Sequence, residues 1–597
     1  MGFIQEVQQA ACSAIRSVFQ VQLEPHELQV SPTKPEFTGD FTLVVFTLTR
    51  FSKTSPETTA KLLGDRLMVD HAHLFSGFGV IRGFLNLTLS DPFLHQYLED
   101  HYNRTAGAIR EKNGRTVMVE FSSPNTNKPL HLGHLRNNFL GDAICEILQA
   151  GGWNVVRANL INDRGIHICK SMVAWQLFAG GATPETEKLK GDHFVGRYYV
   201  LFNDKYKLEV AELVNGGMEP GIAEREAPLM KATQEMLQQW EAGDPAIRSL
   251  WQKMNAWVYT GFEETYRRLS IHFDQVYYES STYLLGRELV LEGLGGGIFF
   301  RKEDGSVWVD LTGDGLDQKL LIRGDGTSVY MTQDLGTAQL KYDDFHMDKS
   351  IYVIADEQNY HMKVLQLILT KLGKPYAAHL FHLSYGMVEL TSGKMKSREG
   401  TVVDADDLID EMISTAAERT ASLGKVKDFS ETELQELHDI LGIGAMKFFL
   451  LRVNPRKRMV FEPEESIDFQ GFTGPFIQYT YARIKSILRK EGITGTVPGP
   501  AGNNAAEPML PAEKSLLLNL EQFPAMLDEA GEEMDPSVIA VYLYRVARSF
   551  NTLYTELPIS RAASPEKKTL RLRISVLTAD IIARGMSLLC IRVPERM

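Results

Sequence analysis

The sequence predicts an α/β fold built on a parallel sheet, with a small α+β module ahead of it and an all-α helical bundle behind it. Three observations predict this. Apolar runs at Thr116–Phe121, Asn154–Leu160 and Ser350–Ala355 alternate with helix-like text, and alternating strands and helices build parallel sheets. Residues 1 to about 110 mix helical periodicity with β-rich runs. From about residue 431 onward the text is helical throughout. The length, 597 residues, gives roughly four modules at about 150 residues each.

In chain order, the first module (1–110) opens with a helical pattern, then carries the strand-like runs Phe41–Leu48 and Gly83–Leu89. The polar stretch Asn103–Arg115 reads as a linker. In the central region (111–430), the strand Thr116–Phe121 leads through a loop into a helix over about 133–150, and Gly151-Gly152 turns the chain into the strand Asn154–Leu160. Residues 180 to about 270 are helical, polar and broken by glycine, which predicts an insertion between the halves of the sheet. The alternation resumes at Ser350–Ala355 and its following helix. The last region (431–597) is a helical bundle with one Pro/Gly/Asn-rich break at Val497–Pro511, and no internal repeat is visible.

Composition narrows the function classes. A hydrophobic fraction of 44% and a charged fraction of 23% exclude disorder, collagen and a disulfide scaffold for the whole chain. No apolar run approaches the roughly 18 residues of a membrane span. The start, Met1 to Glu6, is amphipathic rather than secretory, and Glu6 stands where a myristoylation signal wants Ser or Thr. Cys12, Cys145, Cys169 and Cys590 are scattered without a Cys-x-x-Cys pair, which argues against structural zinc and for a reducing, cytoplasmic setting. The net charge of −13 is uneven: residues 431–597 hold 20 Lys+Arg against 21 Asp+Glu. Arg452, Arg456, Lys457, Arg458, Arg483, Lys485, Arg489 and Lys490 make that region locally basic. They are either a phosphate-facing stripe or solvated helix faces.

The usual phosphate loop G-x-x-x-x-G-K-[ST] is missing, and Gly293–Gly297 precedes strand-like text, so it reads as a hairpin turn. The most informative segment is Glu120-Phe-Ser-Ser-Pro-Asn-Thr-Asn-Lys-Pro-Leu-His-Leu-Gly-His-Leu-Arg136. A strand ends there and a helix begins near His131–Gly133, which places free backbone N–H groups and a helix dipole beyond the carboxyl edge of a sheet. His131 and His134, three apart, can donate to phosphate oxygens. A metal pair is the alternative, but a third ligand is not obvious. A second segment, Gly393-Lys-Met-Lys-Ser-Arg-Glu-Gly400, sets three cations between glycines. It is either a clamp for a leaving pyrophosphate or a solvated turn.

These segments resemble known signatures. HLGH (131–134) is similar to the HIGH motif, and KMKSR (394–398) to the KMSKS loop, of class I aminoacyl-tRNA synthetases. The surrounding EFSSPNTNKPLHLGHLR, with KGDHFVGRYYVLF (190–202), DGTSVYMTQD (325–334), GFTGPFIQYTYARI (471–484) and VPERM (593–597), resembles the arginyl-tRNA synthetase family from end to end. The resemblance implies a Rossmann-like catalytic domain, an N-terminal domain that contacts the tRNA elbow, and a C-terminal anticodon-binding bundle.

It further implies an arginine–tRNA ligase. ATP, with Mg²⁺, lies across His131, Gly133 and His134 and under Lys394, Met395, Lys396, Ser397 and Arg398. Arginine is read by Glu120, Ser122, Asn125, Tyr330, Asp334 and Gln358, since a guanidinium fork wants carboxylates in its plane. Ser397 takes the slot of the second KMSKS lysine, and a lysine just before the first motif, here Lys128, compensates. The catalytic set is therefore His131, His134, Lys128 and Lys394. tRNA meets Arg456, Lys457, Arg458, Gln478, Tyr479 and Arg483. Phe476, Tyr479 and Tyr481 are either base-stacking aromatics or core. No resident metal site, prosthetic group, DNA or membrane partner is expected, and a monomer is. A catalytically inactive relative or a synthetase for another cationic amino acid are the competing readings. Intact HLGH and both cation sources argue against the first; the second stays open, since two carboxylates also accept lysine, and geometry discriminates because an ammonium cannot use a planar bidentate site as a guanidinium can.

Overall fold

The structure, a computed structural model, describes residues 2–34, 36–102, 110–390, 403–423, 428–497 and 507–597. The first module is a four-stranded antiparallel sheet of β1 (Val30–Pro32), β2 (Phe41–Val44), β3 (Phe75–Ile81) and β4 (Phe84–Leu89), in the order β1-β2-β4-β3. Phe41 and Leu43 alternate inward, against the helices Phe3–Phe19 and Pro56–Asp70. The run expected to be one strand to Leu48 stops at Val44, and a 3₁₀ turn takes over at Phe46–Leu48.

The central sheet comprises β5 (Thr116–Glu120), β6 (Asn154–Ile161), β7 (Gln275–Tyr278), β11 (Lys349–Ala355) and β12 (Leu380–Tyr385). All neighbours are parallel, in the order β12-β11-β5-β6-β7. Val117, Met118 and Val119 are fully buried, as expected of a strand covered on both faces. The chain runs outward from β5 to β7 and then returns to the other side of β5. The strand order therefore reverses between β5 and β11, and the crevice at their carboxyl ends is where such sheets bind ligands.

The helical insertion lies at the expected residues, but within one half of the sheet rather than between its halves. Helices Gly191–Asn215, Pro220–Glu226, Pro228–Glu241 and Pro245–Leu269 lie between β6 and β7, and β7 still pairs with β6. Four residues, Gln-Val-Tyr-Tyr, are too short a run to announce a strand. A small antiparallel sheet, β8 (Phe299–Arg301), β9 (Val307–Val309) and β10 (Lys319–Ile322), also escaped the sequence reading. Gly293 is not in a hairpin turn: it lies in the last turn of the helix Gly286–Gly295, and the turn into β8 falls at Gly296 and Gly297.

From residue 431 the helices among the described residues are Glu431–Leu451, the short Pro463–Ser466, Gly474–Lys490, Pro511–Glu521, Phe523–Glu533, Ser537–Glu556 and Pro565–Leu588. One strand interrupts them, a correction to the all-helical reading: β14 (Met459–Phe461) pairs in parallel with β13 (Val388–Leu390). Three residues form a strand here because a partner is brought to them, which local sequence does not record. A single hydrophobic cluster runs from Phe3 through Val117 and Leu140 to Met586. Among the described residues no helix is long and apolar enough to cross a membrane.

Candidate active site

β5 delivers the chain to the crevice, and the two serines just beyond it are held under strain. Ser122 and Ser123 adopt φ of +73° and +45°, a region non-glycine residues rarely occupy. Polar groups from three elements hold them there. Asn137 Oδ1 accepts from Ser122 N at 2.5 Å, and Asn159 Oδ1 accepts from Ser123 N at 3.1 Å. The Ser122 hydroxyl meets the Tyr266 hydroxyl at 2.7 Å. Ser122 is thus buried behind the crevice with its side chain engaged, not offered to a ligand as expected. Asn125 is exposed on the following loop.

His131 is the N-cap of the helix Leu132–Ala150. Its Nδ1 accepts from Gly133 N at 3.1 Å, and its own N–H donates to His134 Nδ1 at 3.2 Å. Both imidazoles therefore carry their proton on Nε2 when neutral. Burial pushes His131 down to about 3, with Lys128 adding to the shift. His134 is held well below its ordinary value by burial, His131 and Lys128. Neutral rings with fixed Nε2–H donors sit beside the positive end of a helix. Using Nδ1 as backbone acceptors also leaves only one nitrogen per ring, which weakens the metal-pair reading. A Cβ on Gly133 would approach His131 Cε1 at 3.0 Å, so the glycine keeps the imidazole seated.

A cavity of about 250 Å³ opens beside His131, lined by Lys128, Pro129, His193, Arg197, Tyr199 and Asp404 among others. Near it, Asp192, His193 and Asp406 converge as a metal ion would require. Lys190 Nζ already occupies that position, 3.1 Å from Asp192 and 2.6 Å from Asp406. The donor set is neutralised by the chain itself and does not fit a resident metal.

The acidic wall differs from the expectation. Glu120 does not present a free carboxylate: it forms a buried ion pair with Lys341. Burial opposes charge on Lys341, but Glu120, Tyr352 and Asp334 outweigh it and raise its pKa. A second carboxylate within electrostatic reach of Asp334 is Glu279, just past β7. Burial raises Glu279 to about 7; Arg164 opposes the rise, and Asp163 and Asp334 add to it. Arg164 stands 3.9 Å away. Beside them the helices Gly286–Gly295 and Tyr330–Phe345 cross closely at Gly286 and Gly336. A Cβ on Gly336 would lie 2.2 Å from Gly286 N.

Asp334 is bonded to His361 Nε2 at 2.5 Å. Tyr330 is 77% exposed at the start of the same helix, and Gln358 is exposed on the 3₁₀ turn after β11. Sequence reasoning missed Glu279; its only signal was an acid at the end of an unrecognised strand. It also missed Arg136, fully buried on the HLGH helix. Arg136 donates to Gly386 O at 2.7 Å, Lys457 O at 2.8 Å and Pro455 O at 3.1 Å. Burial lowers it to about 10. It ties the crevice to the C-terminal region.

In that region Arg456, Lys457 and Arg458 are exposed. Gln478 is not available to RNA, contrary to expectation. It is fully buried, and Nε2 donates to Ile440 O at 3.1 Å and Arg592 O at 2.8 Å. Arg483 pairs with Asn551 and lies over the rings of Tyr479, at 4.8 Å, and Tyr554, at 5.3 Å. Tyr481 is core, with its hydroxyl on Glu595 at 2.9 Å; Phe476 and Tyr479 are half-buried. Lys394 to Arg398 lie outside the described residues.

A parallel sheet that reverses at β5, with an HLGH turn at the head of the next helix, is the catalytic centre of a class I tRNA synthetase. Residues 98–462 match the family described as tRNA synthetases class I (R), catalytic domain, and residues 477–597 match the DALR anticodon binding domain. The arginine–tRNA ligase of Bacteroides fragilis (strain YCH46) is 51% identical over 590 residues, 98% of each chain. That of Amoebophilus asiaticus is 50% identical over 592 residues, 99% of each. The solved arginyl-tRNA synthetase of Thermus thermophilus superposes with a TM-score of 0.79 at 25% identity, covering 99% of both chains. The chain belongs to the arginyl-tRNA synthetase family, and its catalysis is ATP-dependent.

Proposed function

We propose that this chain ligates arginine to its tRNA in two steps, with the following division of labour. ATP, accompanied by Mg²⁺ as the counter-ion of its phosphates, lies against His131, Gly133 and His134. The observation that carries this is the pair of neutral imidazoles with Nε2–H donors fixed by backbone acceptance at Nδ1. Lys128, close enough to depress both imidazoles, supplies the positive charge next to them, and Lys394, Met395, Lys396, Ser397 and Arg398 also bind the nucleotide. The guanidinium of arginine sits between Asp334 and Glu279, with Tyr330, Asn125 and Gln358 around it. Glu120 acts behind them through Lys341, and Ser122 through the bend it holds.

The arginine carboxylate oxygen attacks the α-phosphorus, the bond to the β-phosphate oxygen breaks, and pyrophosphate leaves. The groups named contribute alignment and charge stabilisation, not a covalent intermediate. The arginyl group then moves to the ribose 2′-hydroxyl of the terminal adenosine and AMP departs. Arg456, Lys457, Arg458, Tyr479 and Arg483 contact the tRNA. The chain works as a cytoplasmic monomer on tRNA, without a DNA or membrane partner. Arginine-dependent ATP–pyrophosphate exchange, run with and without tRNA, tests the reading. Exchange with arginine and none with lysine is expected, and no exchange under either condition would refute it.

A further inference from the structure

The segment Val403–Ala405 is laced to the HLGH turn by its backbone. Leu132 N donates to Val403 O at 3.2 Å, Ala405 N donates to Leu130 O at 3.0 Å, and His131 and Asp404 form an antiparallel bridge. Hydrogen bonds thus bracket His131 on both sides. Two bonds alone would leave this short pairing free to slip, and a lateral ion network prevents it. Asp404 caps the helix Ala405–Leu423, accepting from Asp406 N at 2.8 Å. Its other oxygen faces His193 Nε2 at 3.2 Å. Asp406 Oδ2 faces His193 at 3.4 Å and Lys190 at 2.6 Å and accepts from Thr265 at 3.1 Å, and its other oxygen faces Arg268 at 3.2 Å. Four chain segments meet there: the HLGH turn, the starts of the helices Gly191–Asn215 and Ala405–Leu423, and the end of the helix Pro245–Leu269. His193 and Asp404 line the same cavity as Lys128 and His131.

We propose that His193, Asp404 and Asp406 are positioning residues for the ATP step: their ion network fixes the register of residues 403–405 against the HLGH turn, and so aims His131 and Lys128 at the phosphates. The charges support this. Asp404 and Asp406 hold His193 up at about 10, so it is an imidazolium at neutral pH. Burial opposes ionisation of Asp406, but His193 and Lys190 prevail and its carboxyl stays ionised. Networked polar groups in a half-buried setting polarise one another, and a satisfied network rigidifies the segments it joins. The proposal rests on the assignment of ATP phosphates to His131, His134 and Lys128.

The test is exchange kinetics with tRNA present on H193Q, D404N, the double variant and H193K, alongside thermal melts. H193Q and D404N are each expected to lower kcat/KM for ATP on the order of 10- to 100-fold, the cost of a small misplacement. The KM for arginine is expected to stay within about twofold, since a misaimed phosphate site leaves the guanidinium site intact. The double variant is expected to lose no more than the worse single, because the residues act as one unit. H193K, which keeps a cation, is expected to regain part of the loss. A merely architectural role would lower the melting temperature and kcat with both KM values unchanged, and that result overturns the proposal. So does a KM for ATP within about twofold of the parent in H193Q. Should D404N fail to fold through loss of its helix cap, H193Q and H193K decide alone. K128A separates the underlying assignment: if it leaves the KM for ATP unchanged, the phosphate site is misplaced. If K128A raises that KM and H193Q does not, only the positioning role fails.

Discussion

Replacing Lys341 with methionine tests the reassignment of Glu120 from substrate reader to buried support. The Lys341 side chain is 2% exposed and that of Glu120 is 7%. The pair is therefore desolvated, and removing one member strands the other. Breaking such a pair costs about 3–5 kcal/mol, while removing both partners together is often neutral. At roughly 2–4 °C per kcal/mol for a domain of this size class, K341M is expected to lower the first thermal transition by about 6–20 °C. The double variant E120Q/K341M is expected to recover most of that loss. E120Q alone leaves a buried ammonium beside Asp334, whose carboxylate already contributes to the Lys341 pKa. That cation competes with a guanidinium, so E120Q is expected to raise the KM for arginine as well as to destabilise. The assays are scanning calorimetry and arginine-dependent exchange. A K341M variant within about 1 kcal/mol of the parent, or a double variant no better than the single, would show that the pair does not work as described.

Three further outcomes are expected at the site and its surroundings. Glu279, raised to about 7, must ionise to hold a guanidinium. The KM for arginine is therefore expected to fall as pH rises through 7, and E279Q to abolish that trend while raising KM, as D334N does without a matching loss of stability; steady-state kinetics across pH checks this. His131 and His134 are depressed below the ordinary 6.5, so as pH falls below 6.5 the unfolded chain takes protons that the fold refuses. Their contribution is present above 6.5 and is lost as pH falls below it, down to about 3 for His131, at up to about 1.4 kcal/mol per pH unit for each; H131N/H134N is expected to flatten denaturation curves measured below pH 6.5. His193, raised to about 10, behaves oppositely: its contribution is complete below 6.5 and fades as pH rises toward 10. Finally, Gln replacement of Arg456, Lys457 and Arg458 is expected to weaken tRNA binding and to reduce its salt slope by about 1 for each phosphate no longer neutralised, whereas Q478A is expected to act through stability, because its amide is spent on Ile440 and Arg592.

The features legible in the sequence were those encoded locally. β5, β6 and β11 are continuous apolar runs because both sheet faces are covered, and the helix after HLGH starts at an N-cap that could be read residue by residue. β7, β14 and the β8–β10 sheet were hidden because they are three or four residues long and exist only by pairing. The site divided along the same line. His131, His134 and Lys128 lie within seven residues and were visible together, while Glu279 and Arg136 gain meaning only from partners brought in by tertiary structure.

Glu120 shows what sequence leaves out. A carboxylate at the end of an apolar strand demands a cation, and from sequence the substrate guanidinium was the available candidate. The protein supplies its own cation instead, from Lys341 on the helix that also carries Asp334. That choice has a chemical consequence. A carboxylate satisfied by a buried lysine contributes little net charge to the crevice, so recognition of a cationic substrate must rest on acids that the chain leaves under-neutralised. Among the described residues, Asp334 pairs with the His361 imidazole, and Glu279 with an arginine 3.9 Å away. These two carboxylates are the ones proposed to receive the guanidinium. With the guanidinium held between them as proposed, arginine is expected to lose its advantage over a neutral side chain when a permanent cation is added at either position.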